Sequence, residues 1–390
     1  MAPKPKTNDI NDIKLVDSSY YSLHVQLYQV LRKLIYTGRW PHGSKIPSET
    51  QLANHLNISR STVRLALQRA ELEGLIHRVS GKGTFVAFSR EQSTHSRFIA
   101  FVISQAINEW TAMLLKGAES EARERGHRIV YTRKTPEQNT VELLLKLQEE
   151  SIAGVLLWPD ILPNDIEEKA ACFDQLHIPV VLVDRPINGL ALDCVTSENY
   201  AGGLRIMRHL LELGHKEIVF LSHQLISIHT IAERLRAYRD AMQSAGLTPR
   251  EPWLVGKLEE EMSATQVFGT ETVDHGPDVL RIIQYIKQAD PPPTAIFAAN
   301  DTMAVLAAWA LDVMDWHIPD DLSLVGFDDQ PFAAYMQVPL TTISQDIFTM
   351  GQKAAHLLIH RLEGWDGPAR MEYIPTRLHI RQSTAPPPIN

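Results

Sequence analysis

Three short runs leave the N-terminal part of this 390-residue chain few ways to fold: Lys45-Ile46-Pro47-Ser48-Glu49-Thr50-Gln51-Leu52, then Ile58-Ser59-Arg60-Ser61-Thr62-Val63-Arg64, then Gly81-Lys82-Gly83-Thr84-Phe85-Val86. Ser48 with Gln51 three residues later is a capping box that starts one short helix. Ser59 is placed to N-cap a second helix after the tight turn Leu56-Asn57-Ile58. Two short helices in tandem form a helix-turn-helix. On the second, Val63, Leu67 and Ala70 share an apolar stripe, whereas Arg60, Arg64 and Gln68 recur on another face and leave cations free for a groove. Gly74 ends that helix. Ile76–Val79 and Thr84–Val86 then alternate like strands around Ser80-Gly81-Lys82-Gly83, which predicts a hairpin wing.

Charge separates this head from the remainder. The net formal charge is −8, yet residues 1–90 hold 13 Lys and Arg against 6 Asp and Glu, while residues 91–390 hold 25 against 40. A basic module on an acidic body approaches a polyanion by one end, with an affinity that falls as salt rises. The length predicts two or three globular units, and 44% hydrophobic content is ample for their cores. No apolar run approaches the ~20 residues that cross a bilayer, and the N-terminus lacks the apolar core of a signal peptide, so a cytoplasmic protein with no membrane partner is expected. Cys172 and Cys194 are expected to be buried thiols, since neither stands in a metal-ligand pattern.

Composition sets the expected boundaries: a mobile tail over 1–20, the winged head over 21–88, a polar linker over 89–97, a sensor body over 98–384 and a short Pro-rich tail over 385–390. From Phe98 onward, apolar runs alternate with amphipathic helical stretches. Phe98–Ile103, Arg128–Tyr131, Gly154–Leu157, Val180–Val183, Ile218–Leu221, Ala295–Ala298 and Leu322–Val325 read as buried parallel strands, giving an α/β, doubly wound body long enough for two lobes. Ligands of such sheets bind beyond the carboxyl ends of the strands. Asp184-Arg185, Asn300-Asp301 and Asp328-Asp329 each follow a strand, and Gln345 follows Thr341–Ser344. Singly, each could be a helix cap or a loop ion pair. Jointly they supply the fixed donors and acceptors that a neutral polyol needs, with an aromatic for its C–H face.

The head, with apolar Leu27, Leu31, Leu34 and Ile35 before Gly38 and with Ile46-Pro47-Ser48-Glu49 after Pro41-x-Gly43, resembles the GntR family of bacterial transcription regulators. That resemblance implies DNA contacts from Ser48, Ser59, Arg60, Ser61, Thr62 and Arg64, and from Gly81 and Lys82 at the wing tip. Thr50 stands where family members commonly carry a DNA-reaching Arg, so that contact is lost or replaced by a hydroxyl bond. The body resembles the effector domain of LacI/GalR-type repressors, itself similar to periplasmic sugar-binding proteins. The motifs are Lys116–His127, Val183-Asp184-Arg185-Pro186, Asn199-x-x-Gly202-Gly203, Leu213-Gly214-His215, Glu233–Tyr238, Ala299-Asn300-Asp301, Gly326-Phe327-Asp328-Asp329 and Pro375-Thr376-Arg377-Leu378.

The implied ligand shell is Trp110, Asp184, Arg185, Arg234, Asn300, Asp328 and Gln345. Within it, Arg234 at a helix start and Asp328 in the other lobe are expected to clamp hydroxyls across the cleft. Asn108-Glu109-Trp110-Thr111 keeps one of the two aromatics of the family's Asn-Pro-Phe-Phe loop. Glu198-Asn199, in place of the usual Asp-Asn pair, reads as a variation at a helix start. A GntR-type head on a LacI-type body is the combination of arabinose repressors. It implies a homodimer on palindromic operator DNA, released by a small sugar, an arabinose-like pentose first. A regulator of the same architecture that answers another sugar, or that activates, is the alternative. No nucleophile motif, dinucleotide loop or metal-ligand spacing is present; His209, His215, His223 and His229 lack a third donor, and Gly81-Lys82-Gly83-Thr84 lacks the earlier glycine of a phosphate loop. Neither an enzyme, a cofactor nor a metal is therefore expected.

Overall fold

The computed structural model describes residues 8–13, 15, 22–36, 38–72, 74–87, 97–104, 108–135, 138–150, 152–159, 173, 176, 178–187, 189–224, 226–256 and 276–388. The expected linker, apart from Arg97, and Cys172 lie outside them. In the head, α1 (Leu23–Tyr36), α2 (Glu49–Leu56) and α3 (Arg60–Leu72) precede the antiparallel hairpin of β1 (Ile76–Val79) and β2 (Gly83–Val86). The capping box at Ser48 is formed, and Asn57 closes α2 in the left-handed region, with φ of +52°. Leu27, Leu31 and Ile35 of α1 and Val63, Leu67 and Ala70 of α3 are buried in one core with Trp40, Ile46 and Val86. Within the expected tail of 1–20, Asn8–Ile13 packs on the head: Asn8 donates its backbone N–H to Lys45 O at 3.0 Å and its amide to Ser44 Oγ at 2.9 Å. Ile13, 2% exposed, is part of the core. One apolar side chain and two polar anchors outweigh the polar composition of the segment, which is all that the sequence displays.

The body contains β3 (Phe98–Ile103), α4 (Glu109–Glu124), β4 (Arg128–Arg133), α5 (Thr140–Glu149), β5 (Gly154–Leu157), β6 (Val180–Val183), β7 (Asp193–Ser197), α6 (Asn199–Glu212), β8 (Ile218–His223) and α7 (His229–Ser244). It continues with β9 (Trp253–Val255), α8 (Gly276–Gln288), β10 (Ala295–Ala298), α9 (Asp301–Val313), β11 (Ser323–Val325), β12 (Thr342–Gln345), α10 (Ile347–Leu362), β13 (Met371–Ile374) and β14 (Thr376–His379). A six-stranded sheet in the order β13-β7-β6-β5-β3-β4 forms lobe one, and a parallel four-stranded sheet in the order β11-β10-β8-β9 forms lobe two. All seven runs read as buried strands are strands, but β4, at the edge of its sheet, has only exposed and half-buried residues. Five further strands, β7, β9, β12, β13 and β14, were not read as such; β9 is three residues long, and β7 carries Asp193, Thr196 and Ser197 inside the sheet. Arg361 makes that burial possible, because its Nε and Nη2 donate to the Asp193 carboxylate at 2.6 and 2.9 Å.

The chain passes between lobes where β7 gives way to α6, between β11 and α10, and where β13 leads to β14. In lobe one, α4 and α10 meet backbone to backbone: a Cβ on Gly117 would stand 2.0 Å from Phe348 O, and one on Gly351 would stand 2.1 Å from Leu114 O. No side chain fits between them. Gly351→Ala is therefore expected to destabilise the body by about 3 kcal/mol, read from urea unfolding, since a well-packed helix contact cannot absorb an inserted methyl. A change of a few tenths would contradict this contact.

The C-terminal segment is held to lobe two beyond its expected boundary. Ser383 Oγ donates to Leu324 O at 2.5 Å, and the ring of buried His215 bonds Thr294 Oγ1, Ser323 Oγ and Ala385 O. Burial lowers the pKa of His215, which suits a neutral ring within this network. Proline content signalled a loose end, whereas the hydrogen bonds that fasten it come from residues far away in sequence.

Candidate functional site

In the head, the residues expected at DNA fall at the starts of α2 and α3 and in the turn of the wing. Thr62 donates its N–H to Ser59 Oγ at 3.1 Å, so Ser59 N-caps α3, and the hydroxyls of Ser61 and Thr62 each lie 2.7 Å from Ser59 Oγ. Ser48 Oγ is likewise used as a cap, accepting from Gln51 N at 3.3 Å. Arg60 and Arg64 are exposed. Arg60 Nη2 donates to Thr50 Oγ1, so the residue that departs from the family pattern holds the neighbouring arginine. Arg64 Nε and Nη2 both reach Glu49 Oε2 at 3.3 Å, and Arg78 on β1 reaches Glu49 Oε1 at 3.4 Å. Such exposed pairs are weak and exchange readily for phosphate. Gly81 and Gly83 turn the wing at φ of +72° and +117°, with Lys82 exposed between them. Arg78 and Glu49, which are not in the expected set, stand beside it through these ion pairs. Strand alternation would have turned Arg78 to the side of buried Ile76 and away from His77, so its exposure was not legible from the pattern.

In the body, all seven residues of the expected ligand shell border one cavity of about 100 Å³. Lobe one contributes Trp110 at the start of α4 and Asp184-Arg185 after β6; lobe two contributes Arg234 on α7, Asn300 after β10 and Asp328 after β11, with Gln345 at the end of β12. Local sequence explains their placement. Asn108 forms a capping box with Thr111, which starts α4 beside the cavity. Asn300 Oδ1 accepts from Met303 N at 2.9 Å, so the N-cap role is real and leaves its amide N–H groups for other partners. Asp184, Asp328 and Asp329 have φ of +68°, +111° and +49°. Three non-glycine residues in the left-handed region beside one cavity mark a place where backbone strain is maintained by the surrounding fold.

The polar groups are held before any ligand arrives. Buried Arg234 donates from Nη1 to Ala299 O at 2.7 Å, lies 3.4 Å through Nη2 from Asp328 Oδ1 and stacks 3.7 Å above the Phe327 ring. Gln345 Nε2 donates to the same Asp328 oxygen at 2.7 Å. Burial pushes the Asp328 carboxyl up to about 6, against the pull of Arg234. Burial also raises Asp301 well above the usual carboxylate range; that carboxyl accepts from Thr342 Oγ1 at 2.6 Å and from Gln330 N at 2.7 Å, and so fastens β12 to α9. Arg185 pairs with Asp184 at 3.3 Å.

Two expectations need correction. Arg234 and Asp328 both belong to lobe two and touch each other, because β11 pairs with β10 in the sheet that also holds β8; they cannot clamp from opposite lobes. Arg234 also lies past the first turn of α7, not at its start. The facing groups from lobe one are Asp184, Arg185 and the aromatics. There are two of these: Trp158, immediately after β5, packs against Trp110 with ring centroids 4.7 Å apart, and Arg185 lies 5.5 Å from its ring. Thus the aromatic missing from the loop after β3 has a counterpart on another strand. Its position after Leu157 could have revealed it, since the other strand ends were inspected on that ground.

Among the described residues, no group of three or more His, Cys, Asp or Glu could hold a metal ion, and no helix is long and apolar enough to cross a membrane. Cys194 is buried and unpaired, and burial raises its thiol far above the usual range.

Residues 23–86 match the family described as bacterial regulatory proteins, gntR family, and residues 207–384 match the periplasmic binding protein-like domain. The arabinose metabolism transcriptional repressor of Geobacillus stearothermophilus is 29% identical over 346 residues, covering 87% of this chain and 91% of that protein. The protein of the same name from Halalkalibacterium halodurans is 27% identical over 373 residues, covering 92% and 95%. A LacI family transcriptional regulator from Mycobacterium smegmatis superposes with a TM-score of 0.61 at 24% identity, over 74% of this chain and 99% of that one, and shares the fold of the body.

Proposed function

We propose that this chain is a repressor released from operator DNA by a small sugar, because a match to the gntR family and a match to the periplasmic binding protein-like domain stand in one chain, the combination of a transcription regulator and not of an enzyme. The carrying observation is the single cavity that gathers Asp184, Arg185, Arg234, Asn300, Asp328 and Gln345 against a Trp110–Trp158 wall. Two carboxylates, two guanidiniums and two amides balance in charge and present donors and acceptors in several directions, which suits a neutral polyol; the indoles suit its C–H face. L-Arabinose is the first sugar to test, on the strength of the relatives' names and architecture. The reading includes a head at 21–88, a body at 98–384, DNA contacts from Ser48, Thr50, Ser59–Thr62, Arg64, Gly81 and Lys82, and action in the cytoplasm. It also includes a homodimer, because a two-fold pair of heads matches a palindromic operator.

A thermal-shift screen of the full chain against pentoses and hexoses tests the ligand class. L-Arabinose at a hundredfold excess over its Kd should stabilise the body by about 2.7 kcal/mol and raise its melting temperature. A larger shift with another monosaccharide would change the effector but keep the class. No shift with any sugar would reject it.

A further inference from the structure

Asn199 does not border the cavity, yet it touches the residue on which sugar capture depends. It is the first residue of α6, where the chain has just left β7 of lobe one, and it is 3% exposed. Its Oδ1 accepts from Arg234 Nε at 2.9 Å. Its Nδ2 donates to Ser197 O at 3.0 Å and reaches Thr196 Oγ1 at 3.5 Å. Thr196 Oγ1 in turn donates to the backbone oxygen of Asp184 at 2.6 Å. A buried polar chain therefore runs from Asp184, at the lobe-one edge of the cavity, through the crossover to Arg234 and Asp328 in lobe two.

A guanidinium has five N–H donors in one rigid plane and no acceptor, so its orientation is set by which nitrogens are held. Ala299 O holds Nη1 and Asn199 Oδ1 holds Nε; two acceptors on two nitrogens fix both the plane and the rotation within it. Only Nη2 faces Asp328. Gly203, on the next turn of α6, has no room for a side chain against Ala237 and Arg234, so α6 and α7 are locked together behind this contact. The amide of Asn199 suits its place: its oxygen serves the arginine while its nitrogen serves β7, two opposite demands that a carboxylate or a hydroxyl cannot both meet at those distances.

We propose that Asn199 is a positioning residue of the sugar site: standing at the crossover from β7, it aims Arg234 at the ligand. This assignment rests on the sugar-sensor reading above. Asn199→Ala removes both halves of the link, whereas Asn199→Asp keeps an acceptor for Arg234 Nε and loses the donor to β7.

The test uses the full chain, labelled with ¹⁵N-arginine, with L-arabinose and the sugar panel as ligands. In the wild type, the Nε–H resonance of Arg234 should be protected from solvent exchange. It should lose that protection in Asn199→Ala and keep it in Asn199→Asp. Sugar affinity should fall about tenfold in Asn199→Ala and stay within about threefold of wild type in Asn199→Asp, with operator affinity in the absence of sugar unchanged in both. On an Arg234→Ala background, Asn199→Ala should cause no further loss, because the two substitutions remove one interaction. A protected Arg234 signal in Asn199→Ala, or an equal loss in both backgrounds, would overturn the assignment. A wild type that binds no sugar would instead remove the sugar-sensor reading, while the resonance still decides whether Asn199 holds Arg234.

Discussion

Replacing Arg60 and Arg64 together by alanine is expected to weaken operator binding by roughly 10²- to 10³-fold at physiological salt and to leave sugar affinity unchanged. Each exposed guanidinium can form one strong bidentate contact with a base edge or phosphate, worth ~1–3 kcal/mol, and its loss is felt at the operator alone. Both side chains rest against α2, Arg60 on Thr50 and Arg64 on Glu49, in exposed contacts weak enough to be exchanged for DNA. Operator affinity measured by fluorescence anisotropy, with sugar affinity measured calorimetrically on the same samples, checks both halves. An unchanged operator affinity in the double variant would place the recognition surface elsewhere on the head.

Arg234→Ala and Asp328→Ala should each produce a folded protein that holds its operator and ignores its sugar, with sugar affinity lower by tenfold to a hundredfold. The contact between the two lies within lobe two, so the effect is not an opened clamp. Truncating Arg234 leaves Asp328 buried without its cation and strands the Asn199 acceptor; truncating Asp328 frees Nη2 of an otherwise anchored arginine. An unsatisfied buried partner costs ~1–3 kcal/mol, which is the stated loss in affinity. The two losses should be less than additive because they share one interaction. The same carboxyl predicts a pH dependence. Its raised pKa of about 6 means that acidification below that value protonates it in the free protein, so a sugar held by the carboxylate should bind more weakly as pH falls through 6. Calorimetry at pH 7.5 and 5.5 reads that difference, and Asp328→Asn should abolish the slope.

Local signals carried most of the fold. The capping box at Ser48, the N-cap at Ser59 and the glycines of the wing turn are short-range chemistry, and each forms as spacing dictates. Most of the strands that were legible are apolar runs buried on both faces, with β4 at the sheet edge the exception. Those that escaped, such as β7, contain polar residues whose partners are remote: Asp193 is satisfied by Arg361, a pairing that only the folded chain creates. Asp184, Arg185, Asn300, Asp328 and Gln345 were legible at strand ends, where a doubly wound sheet exposes its loops, whereas Trp110 and Arg234 lie on helices and were expected only from the family resemblance. Lobe membership was not legible, since it depends on strand order, and Asp328 was placed opposite Arg234 when it stands beside it. Trp158 also follows a strand end, but an indole after an apolar run reads as more core, and only the fold sets it against Trp110. Asn199 was overlooked because a helix-start asparagine usually caps its own helix, whereas this one bonds an arginine 35 residues away.

One sugar in this cavity and one operator on this head are expected to oppose each other with equal strength. Measuring operator affinity without sugar and at saturating L-arabinose, and sugar affinity with and without saturating operator, tests it directly. Linkage requires the two ratios to be equal, and a released repressor should give a factor of roughly 5 to 150 in both. A sugar that binds the body tightly but changes operator affinity by no measurable factor would contradict the account.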